Sequence, residues 1–184
     1  MASAVASAYA QDVRALRGVW IAVIVGGCGV ADFDLEQPIP EQRVQGSGLP
    51  APLAALFPLP LDLDLSAEIR KQTTGPIDSV TLAALTLTIT ATDRGPGDSD
   101  DWSFVDEIRV FVASSMSGSS LPRVEIASTV DPGAATTIEF TVVDSVNLQP
   151  YVEEGSIVES SGRGRLPTDD VSYDGIGVFT VHPL

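Results

Sequence analysis

The sequence predicts an all-β protein built on a single antiparallel β-sandwich domain of about seven to eight strands. Three observations carry that expectation. Apolar and polar residues alternate in short runs, most clearly at Leu61/Leu63/Leu65, Leu85/Leu87/Ile89 and Ile108/Val110/Val112, the period that half-buries a strand. Clusters of Gly, Pro, Asp and Ser interrupt the chain roughly every ten residues, as turns do. No stretch repeats convincingly at the helical period. A single cysteine rules out a Cys-Trp-Cys framework, so an immunoglobulin domain proper is not expected.

Taken in order, residues 61–65 alternate leucine with Asp62 and Asp64, which turns the acids to water. Thr74-Gly75-Pro76 breaks the chain. Residues 79–90 make the next strand, with Thr86, Thr88 and Thr90 on its outer face, where a β-branched side chain suits extended backbone. Ala83-Ala84 shifts the phase between Leu82 and Leu85, which predicts a bulge or bend. Residues 93–101 form a loop of Gly, Pro and Asp. Residues 102–113 and 122–129 then pair as a hairpin across the small-residue turn 114–120. Asp131-Pro132-Gly133 is a turn by its own chemistry. Residues 136–143 form a strand with Ile138, Phe140 and Val142 in phase. A less regular strand falls around 151–158, a second polar loop at 160–170 and a last strand at 175–181.

The domain is expected over residues 59–184. Residues 28–58 read as a Pro/Gly linker, because six of the thirteen prolines lie between positions 29 and 60 and proline lacks the donor that a sheet needs. Within it, residues 39–44 suit an edge strand, and L-A-A-L-F at 53–57 suits one helical turn.

Residues 1–27 read as a signal peptide. Arg14 and Arg17 precede the apolar run V-W-I-A-V-I-V at 19–25, the charge-then-apolar order of secretion signals. A transmembrane helix needs about 20 apolar residues, and this run breaks at Gly26 and Gly27. A buried strand is the other alternative. Asp12 and residues 1–12 fit such a signal poorly, so the reading frame is expected to start at Val13. The stretch Val25-Gly26-Gly27-Cys28 resembles the lipobox of bacterial lipoproteins, over the first thirty residues only, with valine where leucine is commoner. That resemblance implies cleavage after Gly27, a diacylglyceryl group on the Cys28 thiol and acylation of the new amino terminus. Glycine and not aspartate at position 29 implies sorting to the outer membrane. Lipid also accounts for a cysteine that has no partner for a disulfide; the plainer alternative is a small buried thiol.

The formal charge is −15; residues 1–27 contribute +1, so the remainder carries −16. Such acidity argues against nucleic-acid binding and against attraction to an anionic lipid surface. It is expected to keep a tethered domain soluble and pushed off its own bilayer.

Signals for catalysis are sparse. His182 is the single histidine, near the end of the sequence, and neither G-x-S-x-G nor S-x-x-K occurs. One Cys and one His do not make a zinc site. Gly162-Arg163-Gly164 lacks the spacing of a phosphate loop. A carboxylate pair of glycosidase type is not marked by the sequence, which leaves an envelope hydrolase as the alternative to a non-enzymatic module. Trp102, Phe104, Phe111, Tyr151 and Tyr173 read as packing residues ahead of glycan-stacking ones. The sharpest polar cluster is Asp93, Asp98, Asp100 and Asp101. A loop of this kind suits the oxygen-rich shell of calcium, with Asp98, Asp100 and Asp101 as candidate ligands. It is no EF-hand, since Ser103 and Arg109 stand where glycine and glutamate are required. A solvated turn is the favoured reading, and no cofactor is expected. Asp169-Asp170 with Asp174 is a second, weaker acidic loop. The expected function is a lipid-anchored envelope protein that acts as a binding or structural module through protein or glycan contacts made by its loops.

Overall fold

The computed structural model describes residues 31–46, 69, 75–92 and 100–184. The signal run, Val13, Cys28, Asp93, Asp98, the L-A-A-L-F stretch and the strand expected at 61–65 lie outside the described residues. Among the described residues, eight strands form two antiparallel four-stranded sheets. The first has the order β1 (Phe33–Val44), β8 (Val171–Pro183), β2 (Ile77–Thr90), β5 (Thr137–Glu139). The second has the order β6 (Thr141–Val142), β4 (Val124–Val130), β3 (Val105–Ser114), β7 (Ser156–Gly164). The all-β sandwich expected from the alternation is the architecture observed.

The inner faces come from the predicted phases. Leu35 and Ile39 of β1, Leu85 and Leu87 of β2, and Phe179 and Val181 of β8 meet Ile108, Val110 and Val112 of β3 in one core. Burying a side chain of this size contributes about 1.5–3 kcal/mol relative to leaving it exposed. Ile69, which is helical, also reaches this core. The phase shift at Ala83-Ala84 is a bulge: the β2–β8 register slips between Leu82 and Ala84. The extra residue lets Val80 and Leu82 on one side, and Leu85 and Leu87 on the other, all face inward.

The edge strand expected at 39–44 is longer and starts at Phe33. It accommodates Pro38 and Pro40 because β1 lies at the edge of its sheet, pairing among the described residues with β8 alone. Pro40 falls inside a register shift between Ile39 and Gln42.

Three local expectations are corrected. The strand expected at 136–143 divides at Phe140. Thr137–Glu139 pairs with β2 in the first sheet, and Thr141–Val142 pairs with β4 in the second. Alternation is blind to such a crossing, since both halves keep the same inward side. Residues 149–154 are not strand but a short helix, α1 (Gln149–Glu154), with Pro150 in its first turn, where the missing N–H costs nothing. The loop expected at 160–170 is shorter, because β7 continues to Gly164 opposite β3. Residues 102–104 form a single 3-10 turn ahead of β3.

Candidate functional site

One end of the sandwich brings Asp100 and Asp101 near Asp169. Asp100, Asp101, Ser103 and Phe104 stand on one side of a depression of about 370 Å³, and Arg165, Thr168 and Asp169 stand on the other. The 3-10 turn is held from below by Trp102, which is 1% exposed. Its ring stacks on Phe104 at 5.6 Å and tilts against Tyr173 at 5.5 Å. The backbone of Trp102 donates to the Ala135 carbonyl, and that of Arg165 to the Phe104 carbonyl, at 2.9 and 2.8 Å. Gly164 makes the second contact possible. Its φ of 148° and its close approach to the Phe104 carbonyl leave no room for a Cβ.

The acids at this end have structural partners. Asp101 caps the 3-10 turn by accepting from the Ser103 amide at 2.9 Å. Asp170 accepts from Arg43 Nη2 at 2.7 Å and from the Gly46 amide at 2.9 Å, which ties the end of β1 to the loop before β8. Asp100 and Asp169 also make contacts within the protein. Among the described residues no group of three or more His, Cys, Asp or Glu side chains is arranged to hold a metal ion. Asp100 and Asp101 line the depression. With Arg165, Ser103 and Thr168 they offer donors and acceptors to a polar ligand.

The second polar feature lies on the outer face of the second sheet, and the sequence reading did not single it out. Glu107 is 8% exposed. It accepts from Arg109 Nε at 2.7 Å and from Arg163 Nε at 2.7 Å. Arg109 reaches on to Glu125 at 3.4 Å. Arg123 pairs with Glu159 at 2.6 Å and lies 3.4 Å above the centroid of the Phe111 ring. The Arg109 and Arg163 hydrogen bonds hold the Glu107 carboxyl below its usual range, against the opposing effect of desolvation. Glu154 at the end of α1 is also held low, by the hydroxyls of Ser114 and Ser119, which donate to it at 2.6 and 2.5 Å. Both displacements favour the ionised form; a general acid needs the opposite.

Trp102, Tyr151 and Tyr173 are core residues. Phe111 is covered by Arg123, and only Phe104 reaches the depression. His182 pairs with Asp32, Nδ1 to Oδ1, at 3.0 Å. No helix among the described residues is long and apolar enough to cross a membrane. No protein-family model and no curated protein matches the chain.

Proposed function

We propose that this chain is an exported bacterial lipoprotein, anchored through Cys28 and sorted to the outer membrane, whose sandwich works as a non-enzymatic binding or structural module. The observation that carries the proposal is the order Arg14, Arg17, apolar run 19–25, Val25-Gly26-Gly27-Cys28. The geometry supports a module in two respects. The candidate site is an open, polar depression made by loops, with Phe104 as its one aromatic lining residue, a form that suits contact with a protein or glycan surface. Glu107 and Glu154, on the second sheet and at the end of α1, are displaced toward the ionised state.

The test is the mass of the amino-terminal peptide of the membrane-extracted protein, together with Cys28→Ser. The expected result is cleavage after Gly27 with acyl and diacylglyceryl mass on Cys28, and a variant that is released or stalls uncut. Serine lacks the thiol that lipid transfer requires. An uncut wild-type chain with an unmodified cysteine overturns the proposal.

A further inference from the structure

The strand β1 begins at Phe33, and residues 29–32 alone separate it from Cys28. A chain spans at most about 3.3–3.6 Å per residue, so the start of β1 lies within roughly 18 Å of the Cys28 backbone. A free linker over 28–58 would instead allow a root-mean-square separation of about 30 Å in a flexible chain. Because β1 belongs to a sheet, the connection dictates which end of the sandwich lies near the anchor.

That end can be traced through the register. Phe33 is opposite Val181, and Ile77 is opposite Pro183, so the starts of β1 and β2 and the finish of β8 lie together. The helix α1 joins them to the second sheet. The Leu148 amide donates to the Val80 carbonyl at 2.7 Å, and Glu154 accepts from Ser114 at the finish of β3. The β3–β4 turn, with Met116 53% exposed, therefore belongs to the same end. The opposite end holds the start of β8 at Val171, the finish of β2, and the depression between Asp101 and Thr168. A strand of β1's length separates the two ends by roughly 35–40 Å, at about 3.3 Å per residue.

We infer that the anchored sandwich stands end-on against its own lipid bilayer, with Asp32, Asp78, Met116 and His182 facing the headgroups and the loop depression held at the far end. The inference rests on lipid attachment at Cys28. Net negative charge opposes it only weakly. Screening acts over about 8 Å at physiological ionic strength, while the connection limits the stand-off to little more than two such lengths. Charge sets how deeply this end sinks; the short connection sets which end it is. The site is thereby turned away from the membrane that carries the protein, toward a partner that approaches from the surrounding compartment.

Energy transfer tests this. The lipidated protein, extracted from membranes, is reconstituted in phosphatidylethanolamine/phosphatidylglycerol vesicles that carry dansyl on the headgroup. Asp78→Trp and Thr168→Trp introduce donors at exposed positions on the two ends. The processed chain contributes one further tryptophan, Trp102, as a constant background. Met116→Trp replaces Asp78→Trp if the latter does not fold. The expected result is loss of most of the added emission from Asp78→Trp or Met116→Trp and no loss from Thr168→Trp. Equal transfer from both ends, or transfer from Thr168→Trp alone, overturns the orientation. The same preparation is weighed: absence of lipid on Cys28 removes the anchor and the orientation together, whereas lipid present with equal transfer removes the orientation only.

Discussion

Glu107 on β3 sits directly opposite Arg163 on β7, and its second oxygen is taken by Arg109 two residues along its own strand. One nearly buried carboxylate thus joins two guanidinium groups across the outer face of the second sheet. The sign of its pH dependence follows. Its pKa in the fold lies below the ordinary glutamate value of about 4.5, so its contribution to stability is complete above about pH 4.5 and is lost as pH falls through the folded value. We expect Glu107→Gln to melt lower than wild type at neutral pH, with the gap closing on acidification below the usual carboxylate range. Glu154 is displaced in the same direction, so some acid sensitivity will persist in the variant. Melting curves that stay parallel across that range would contradict the linkage.

Gly175 of β8 faces Leu87 of β2 where the sheet packs tightly. A Cβ there would meet Leu87 Cδ2 and the Thr86 carbonyl, each at 2.5 Å. One of these is backbone and cannot swing aside. Gly175→Ala should therefore destabilise by about 1–3 kcal/mol, the usual cost of overpacking. Urea denaturation monitored by tryptophan fluorescence checks this, and a variant as stable as wild type would show that the strand relaxes without cost.

Tyr173 is fully buried, and its hydroxyl has no hydrogen-bond partner among the described residues. Burial pushes its phenol well above the usual tyrosine range. Removing an unsatisfied buried hydroxyl while keeping the ring removes a desolvation cost. Tyr173→Phe should leave stability unchanged or raise it by up to about 1 kcal/mol. A loss larger than that in chemical denaturation would reveal a partner for the hydroxyl, such as a bound water.

Calcium supplies the check on the acidic end. Binding at a hundredfold excess over Kd would add about 2.7 kcal/mol, which a thermal melt resolves. With Asp101 capping the 3-10 turn and Asp170 held by Arg43, the expected outcome is the same small shift with calcium as with magnesium at equal ionic strength. A saturable, calcium-specific rise that disappears in Asp100→Ala would establish the site.

Much of the sandwich is determined by the sequence alone. Inward phases at Leu85/Leu87 and Ile108/Val110/Val112, the bulge at Ala83-Ala84 and the turn at Asp131-Pro132-Gly133 are local consequences of side-chain alternation and backbone preference. Asp131 adopts a φ of 48° and Gly133 one of 65°, the left-handed geometry that Asp and Gly tolerate best. What only the tertiary structure decided depends on contacts between distant segments. Phe140 marks a crossing between sheets because its amide finds the Leu85 carbonyl at 3.0 Å while Val143 finds Ile126 at 2.9 Å. Nothing within residues 136–143 encodes either partner. Residues 149–154 turn helical where packing of Tyr151 and Val152 against the core outweighs their β propensity. Asp100 and Asp101 frame one depression with Asp169, far along the sequence. Glu107 meets Arg163 only because β7 and β3 share a register. Local preference acts over a few residues, whereas sheet register and shared surfaces are set by how the whole chain buries its apolar faces.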